Sequence, residues 1–108
     1  MKSFRQGDTV TMLINFDETI GDKTMLATVH DAYGKRVWKA ELGDGIVSLG
    51  NNVYKTMIHH IITKGFIGKY YFDLLIKSPD DTSYVNVGDK SVEMVFKEAK
   101  IIRELVEE

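Results

Sequence analysis

The stretch Tyr70-Tyr71-Phe72-Asp73-Leu74-Leu75-Ile76-Lys77 decides the fold class of this chain. Its side chains alternate in character with a period of two, which is typical of a β-strand with one buried face. The other face is more polar, and it carries Asp73 in mid-strand, where the carboxylate either meets solvent or makes a specific hydrogen bond. The buried face consists of Tyr70, Phe72, Leu74 and Ile76.

Turn signals follow this strand closely along the chain. Ser78–Asp81 is a turn with the chain's single proline at its second position, where proline is favoured. Thr82–Val87 is then predicted to return as the hairpin partner. Gly88–Lys90 turns the chain again, and Ser91–Phe96 has the alternation of a last strand. The C-terminal half is therefore predicted to be a series of antiparallel strands.

The same pattern precedes the deciding stretch. Thr9–Phe16 alternates as a strand in which Leu13 is the exception, an apolar residue on the polar face. Thr24–His30 and Lys35–Leu42 alternate on either side of Asp31–Gly34, a favourable turn sequence because Asp bonds its own backbone and Gly takes positive φ. These two strands are predicted to form a hairpin.

The middle of the chain is less regular. Ile46–Leu49 is predicted to be a short strand, and Thr63–Lys69 a loop. For Tyr54–Ile62 two interpretations remain open: its β-branched residues favour a strand, while a helical turn near Thr56–His60 also fits.

These elements predict an all-β domain over residues 1–96. About seven to eight strands, with turn signals roughly every 8 to 12 residues, are typical of a sandwich or small barrel. The predicted core is Val10, Met12, Ile14, Met25, Ala27, Val29, Trp38, Tyr70, Phe72, Leu74, Ile76, Val92, Met94 and Phe96.

Residues 97–108 have a different character. They contain good helix formers and no Gly or Pro, which predicts a short C-terminal helix. Its apolar stripe needs a partner, because a helix of this length is marginal alone. The stripe either packs on its own domain or frays, or else it forms the seam of a homo-oligomer. The interface candidates are Ile101, Ile102, Leu105 and Val106.

Composition excludes several classes of function. The 108 residues carry a net charge of −2 with dispersed Lys and Arg, so no nucleic-acid partner is expected. Apolar residues make up 44% of the chain, but no run of them is long enough to cross a membrane. Residues 1–8 lack the apolar segment of a signal peptide, and the absence of cysteine excludes disulfides and thiolate metal sites.

No catalytic, cofactor-binding or metal-binding residues are predicted. His59 and His60 are adjacent, and neither strand nor helix directs neighbouring side chains toward one ion. Gly43–Gly45 is only a fragment of a glycine-rich phosphate loop, and no serine lies in a nucleophile elbow. We therefore expect a protein that is not an enzyme and uses no cofactor.

Two aromatic residues are candidates for ligand contact. Tyr33 and Phe66 lie in predicted loops, where exposed rings stack on sugars or small ligands. A carbohydrate- or small-ligand-binding β-sandwich is therefore the alternative to a structural module.

The order of several short motifs resembles a known family. The chain opens with Arg5–Thr9 and an alternating strand, Asp31–Gly34 forms a D-x-x-G turn, and Asp44–Leu49 reads D-G-x-x-x-L. Gly68–Leu74 and Pro79–Asp89 follow in the same succession. This succession is similar to immunoglobulin-like β-sandwich domains of phage tail proteins, particularly the N-terminal domain of phage baseplate upper proteins.

The resemblance implies an antiparallel immunoglobulin-like sandwich that docks to other tail or baseplate proteins. It implies no catalysis, and it places the protein in the virion after synthesis in the cytoplasm of a bacterial host. In such proteins a helical segment after the sandwich can drive oligomerisation, a role that residues 97–108 suit.

The oligomer interpretation of the C-terminal stripe predicts a change of mass on truncation. Light scattering on the full chain is expected to give an oligomer, and a chain that ends at Lys97 is expected to give a monomer. Monomers in both samples would contradict an oligomer seam in residues 97–108.

Overall fold

A computed structural model describes residues 1–99 of the chain. Lys97, which was assigned to the predicted helix, is instead the last residue of a strand. The rest of the helix prediction from residue 100 onward lies outside the described residues, and so do the interface candidates Ile101, Ile102, Leu105 and Val106.

Strands make up most of the described chain, as the alternation predicts. One short helix, α1 (His60–Thr63), and one 3-10 turn (Gly88–Lys90) interrupt them within residues 1–99. The strands are β1 (Lys2–Arg5), β2 (Val10–Asn15), β3 (Thr24–Asp31), β4 (Arg36–Leu42), β5 (Gly45–Gly50), β6 (Val53–Ile58), β7 (Gly68–Lys77), β8 (Val85–Asn86) and β9 (Val92–Lys97).

The strands form one hydrogen-bonded sheet in the order β1-β9-β7-β3-β4-β5-β6-β2, with β8 also paired to β7. The prediction of an all-β domain is confirmed, but the sheet is mixed rather than wholly antiparallel. The pairs β1–β9 and β4–β5 are parallel. β1 was not predicted, because its four residues are mostly exposed and carry no clear alternation.

The parallel step from β4 to β5 is unusually short. Parallel neighbours normally need a connection of about a dozen residues or more. Here Gly43 and Gly45 adopt φ of 92° and 106°, and the chain steps sideways to leave only the pairs Glu41–Gly45 and Leu42–Ile46. The step moves the chain from the half of the sheet around β3 and β7 to the half formed by β5, β6 and β2.

The sheet curls around a single core. Val10, Met12 and Ile14 of β2, at one end of the strand order, are buried in the same cluster as Met94 and Phe96 of β9, near the other end. A flat sheet would hold these strands far apart, so the two halves must face each other across the core.

The deciding stretch forms most of β7, which lies in the interior of the sheet between β9 and β3. β7 pairs with β3 from Thr24–Lys77 to Asp31–Tyr70 without a register shift. The predicted core is confirmed: most of its members are buried, and Trp38, Ile76 and Val92 are partly buried against it. The prediction missed several buried residues, among them Ile20, Ala40, Ile46, Tyr54 and Ile58.

For Tyr54–Ile62 the strand interpretation holds as far as Ile58, the end of β6. A helical turn near Thr56–His60 was wrong, because Thr56–Ile58 are strand and His59 is extended; the helix α1 begins only at His60. Thr63 at the end of α1 is fully buried, and its hydroxyl donates to the backbone carbonyl of Asp8 at 2.6 Å. This bond fixes α1 beside the turn between β1 and β2.

The predicted hairpin after β7 is present but shorter than expected. Asp81 N–H donates to the Ser78 carbonyl at 3.0 Å, which closes the predicted turn. Of the predicted partner strand Thr82–Val87, Val85–Asn86 forms a strand beside β7, and Val87 N–H donates one more bond to the Leu74 carbonyl at 2.8 Å. β9 occupies the same edge of β7 over Gly68–Phe72.

We expect Phe72→Ala to lower the free energy of unfolding by about 3 to 5 kcal/mol, the usual cost of removing a buried ring. Phe72 is 1% exposed and faces Trp38 with ring centroids 6.5 Å apart. Tyr71→Ala, the neighbouring position on the opposite face, is the matched control. Denaturant unfolding checks both, and a loss under about 1 kcal/mol for Phe72→Ala contradicts its place in the core.

Gly45→Ala is expected to destabilise more than Gly50→Ala. Both glycines have positive φ, but only at Gly45 does an added Cβ meet another atom, the Cβ of Ala40 at 2.7 Å. An alanine would be strained by the positive φ at both positions. The steric contact at position 45 therefore accounts for the difference in unfolding free energy between the two variants, which we expect to be about 1 to 3 kcal/mol. Equal losses in thermal unfolding would show that the sidestep from β4 to β5 tolerates a side chain.

Candidate protein-interaction face

Strand β2 has two faces of different environment. Val10, Met12 and Ile14 point into the core, which leaves Thr11 and Leu13 on the solvent side. β6 alternates in the same way, with Tyr54, Thr56 and Ile58 buried. Because successive side chains of a strand point to opposite faces, these strands build a solvent-facing surface from every second residue.

The register brings the solvent-facing residues of three strands together. Leu13 of β2 pairs with Lys55 of β6, and Lys55 pairs with Val47 of β5. Thr11 pairs with Met57 in the next row. Side chains directly opposite on neighbouring strands lie within about 5.5 Å of one another at Cβ. The solvent-facing residues of the three strands therefore form one surface, called the outer face below, which consists of Thr11, Leu13, Val47, Lys55 and Met57.

The outer face is unusually apolar for a surface exposed to solvent. Leu13 is 62% exposed, Val47 52% and Met57 44%. Single exposed apolar residues are ordinary, but neighbouring ones on one sheet face are typical of a binding surface. Lys55 lies between them as the one charged residue of the outer face.

A tight hairpin turn aligns the strands of the outer face. Asn51 and Asn52 join β5 to β6 with φ of 54° and 63°, a conformation that asparagine tolerates better than most residues. Asn52 also accepts a backbone hydrogen bond from Phe16 at 3.0 Å, which attaches the end of β2 to the same turn.

The solvent side of the other half of the sheet is polar by comparison. Lys39 lies 3.9 Å from Glu41, and Lys69 lies 3.6 Å from Glu93, in two exposed ion pairs. Asp73, the polar residue of the deciding stretch, is partly buried and accepts a hydrogen bond from the Ser91 hydroxyl at 2.8 Å. This side therefore carries more charged groups than the outer face, together with the exposed ring of Tyr71.

The two predicted ligand-contact residues have different positions. Tyr33 is 96% exposed in the β3–β4 turn, where Asp31 holds the backbone by accepting from Tyr33 N–H at 2.9 Å. Phe66 was predicted to be exposed, and this was wrong, because it is only 4% exposed. Its ring stacks on Tyr70 at 4.3 Å and meets the edge of Phe96 at 5.2 Å. A platform of both rings does not form.

The adjacent histidines lie at the start of α1. His59 precedes the helix in extended conformation, and the two exposed rings have centroids 4.5 Å apart. Within residues 1–99 no group of three or more His, Cys, Asp or Glu side chains is placed to hold a metal ion.

Sequence reasoning missed the outer face, although a signal was present. Leu13 breaks the alternation of its strand, and Val47 and Met57 follow the same apolar-outward pattern in two other strands. The pattern gained meaning only when the register placed the three residues around Lys55 on the same side of the sheet.

Comparison with protein families found no family that matches the chain, and no curated protein matches it either. None of the helices in residues 1–99 is long and apolar enough to cross a membrane.

Proposed function

We propose that this protein is a non-enzymatic assembly module of a bacteriophage or prophage tail or baseplate, which binds neighbouring copies or tail proteins through its outer face. The observation that carries the proposal is the group of exposed apolar residues Leu13, Val47 and Met57 around Lys55 on the outer face. Burying these side chains against a partner removes apolar area from water, which is the main favourable term in protein association.

The strand order supports an immunoglobulin-like assignment within this proposal. In an immunoglobulin domain, strands B, E and D form one sheet, and C, F and G form the other. With letters given in chain order, β2, β6 and β5 take the places of B, E and D, and they are neighbours in that order. β3, β7 and β9 take the places of C, F and G, with β4 as an added strand beside C.

The immunoglobulin-like arrangement departs from the standard one at two points. β1, in the place of strand A, pairs in parallel with β9 rather than with β2. The short β4–β5 pairing joins the two groups of strands into one continuous sheet. The resemblance to phage tail domains rests on the sequence motifs alone, and the strand order supports only the immunoglobulin-like arrangement, which many unrelated proteins share.

The proposal assigns no catalytic residues. The rings of His59 and His60 are exposed and lie beside each other, and Asp73 accepts a hydrogen bond from the Ser91 hydroxyl. The expected partners are other tail or baseplate proteins and further copies of the chain, in the virion, without nucleic acid, membrane or cofactor.

A charge placed on the outer face is the direct test. Val47→Glu combined with Met57→Glu is expected to abolish self-association seen by light scattering between about 1 and 100 µM, because desolvating two carboxylates opposes burial. Val85→Glu is the matched control, since Val85 is 61% exposed in a strand away from the outer face. Both variants are expected to unfold within about 0.5 kcal/mol of the original chain.

Two outcomes contradict the proposal. If the unaltered chain stays monomeric over this range and behaves like the double variant, the outer face does not bind a second copy of the chain. The second outcome concerns the virion assignment. It is contradicted when mass spectrometry does not detect the chain in particles that are sedimented from a phage-producing culture.

A further inference from the structure

One turn joins β1 and β2, the strands at the two ends of the sheet order, and the two strands diverge after it. Asp8 N–H donates to the Arg5 carbonyl at 3.1 Å, and the Asp8 carboxylate accepts from Arg5 N–H at 2.8 Å. From this turn β1 pairs with β9 and β2 pairs with β6, so the two do not form a ladder with each other. The gap between β2 and the Lys2 end of β1 is called the seam below.

The backbone of β2 directs hydrogen-bonding groups into the seam. Residues of an antiparallel strand alternate between those that bond the partner strand and those whose N–H and C=O point away from it. Phe16 N–H bonds to Asn52, which continues the β2–β6 register and sets the phase of the alternation. By that phase, Thr11, Leu13 and Asn15 direct their backbone groups away from β6.

This edge of β2 has no ladder partner among residues 1–99, where β6 is its sole neighbour. A groove of about 240 Å³ runs along it, lined on one side by the consecutive residues Thr11 to Asn15. Five residues of strand span about 17 Å, which suits an extended peptide of similar length. On the other sides the groove is lined by Lys2, Phe72, Asp89, Lys90 and Val92.

The charged residues that line the groove are two lysines and one aspartate, a surplus of one positive charge. Lys2 and Lys90 line it together with a single acidic residue, Asp89. Lys90 Nζ lies 3.9 Å from the Asp89 carboxylate and 5.5 Å from the centroid of the Phe16 ring. Lys90 thus reaches over the end of β2, where an added strand would pass. An acidic peptide complements this arrangement better than a basic one.

We propose that the seam accepts an extended, acidic peptide segment of a partner protein, which pairs with the free edge of β2 as an additional strand. Its main-chain groups bond to Thr11, Leu13 and Asn15, and its acidic side chains meet Lys2 and Lys90. This surface is separate from the outer face, because it uses the edge of β2 rather than the solvent-facing side chains of three strands.

Amide hydrogen exchange of the full chain tests the proposal residue by residue. The probe is a synthetic peptide of alternating Glu and Val, about seven residues long; the control peptide has Lys in place of Glu. The acidic peptide is expected to slow exchange at Thr11, Leu13 and Asn15 by about tenfold or more, since each amide gains a partner. Met12 and Ile14 are internal controls, because β6 already bonds their amides.

Charge reversal at the groove supplies a second measurement. Lys2→Glu combined with Lys90→Glu is expected to weaken binding of the acidic peptide about tenfold or more. Lys35→Glu combined with Lys39→Glu makes the same change of net charge on the β3–β4 hairpin and is expected to leave binding unchanged. The two peptides are compared on the unaltered chain, so the test does not depend on how well a variant folds.

Three outcomes overturn the inference. The first is no protection of the three amides by the acidic peptide at about 1 mM, and the second is equal protection by the basic peptide. The third is protection that rises with protein concentration alone, which would assign the edge to a second copy of the chain. Loss of self-association in Val47→Glu/Met57→Glu bears only on the outer face, and that variant is expected to keep peptide binding.

Discussion

The pairing of β3 with β7 is the constraint on which the rest of the structure depends. It is the longest uninterrupted ladder of the sheet, and it holds Met25, Ala27 and Val29 beside Phe72 and Leu74. A slip of one residue would turn these side chains from the core to solvent, so burial itself fixes the register. β4 on one side and β9 on the other take their positions from this pair.

The second half of the sheet is attached to this pair by a very short connection. The left-handed glycines at positions 43 and 45 move the chain sideways, and Ile46 at the start of β5 is fully buried immediately afterwards. The curl then brings Val10, Met12 and Ile14 of β2 over the core. One apolar cluster thus packs between both halves, while the residues on their solvent sides are not constrained by the core and differ between the halves.

Strand β2 combines three kinds of contact surface in six residues. Its inward side chains complete the core, its outward Leu13 contributes to the outer face, and its unpaired edge borders the seam. Leu13 takes part twice, since its side chain lies on the outer face while its backbone points toward the seam. Side chains and backbone of a strand point in perpendicular directions, so both surfaces are compatible with one fold. The proposed assembly role and the proposed peptide site would therefore use two different sides of the same strand.

The sequence by itself determined most of the strands, most turns and most of the core, because these follow from local alternation and turn chemistry. The environment of Phe66 was decided only by the tertiary structure, since the rings that enclose it, Tyr70 and Phe96, belong to two different strands. The parallel pairing of β1, the outer face and the seam also depend on which strands become neighbours. Alternation shows which side of a strand is buried, but pairing between distant segments is set by the closing of the core, which no local pattern encodes.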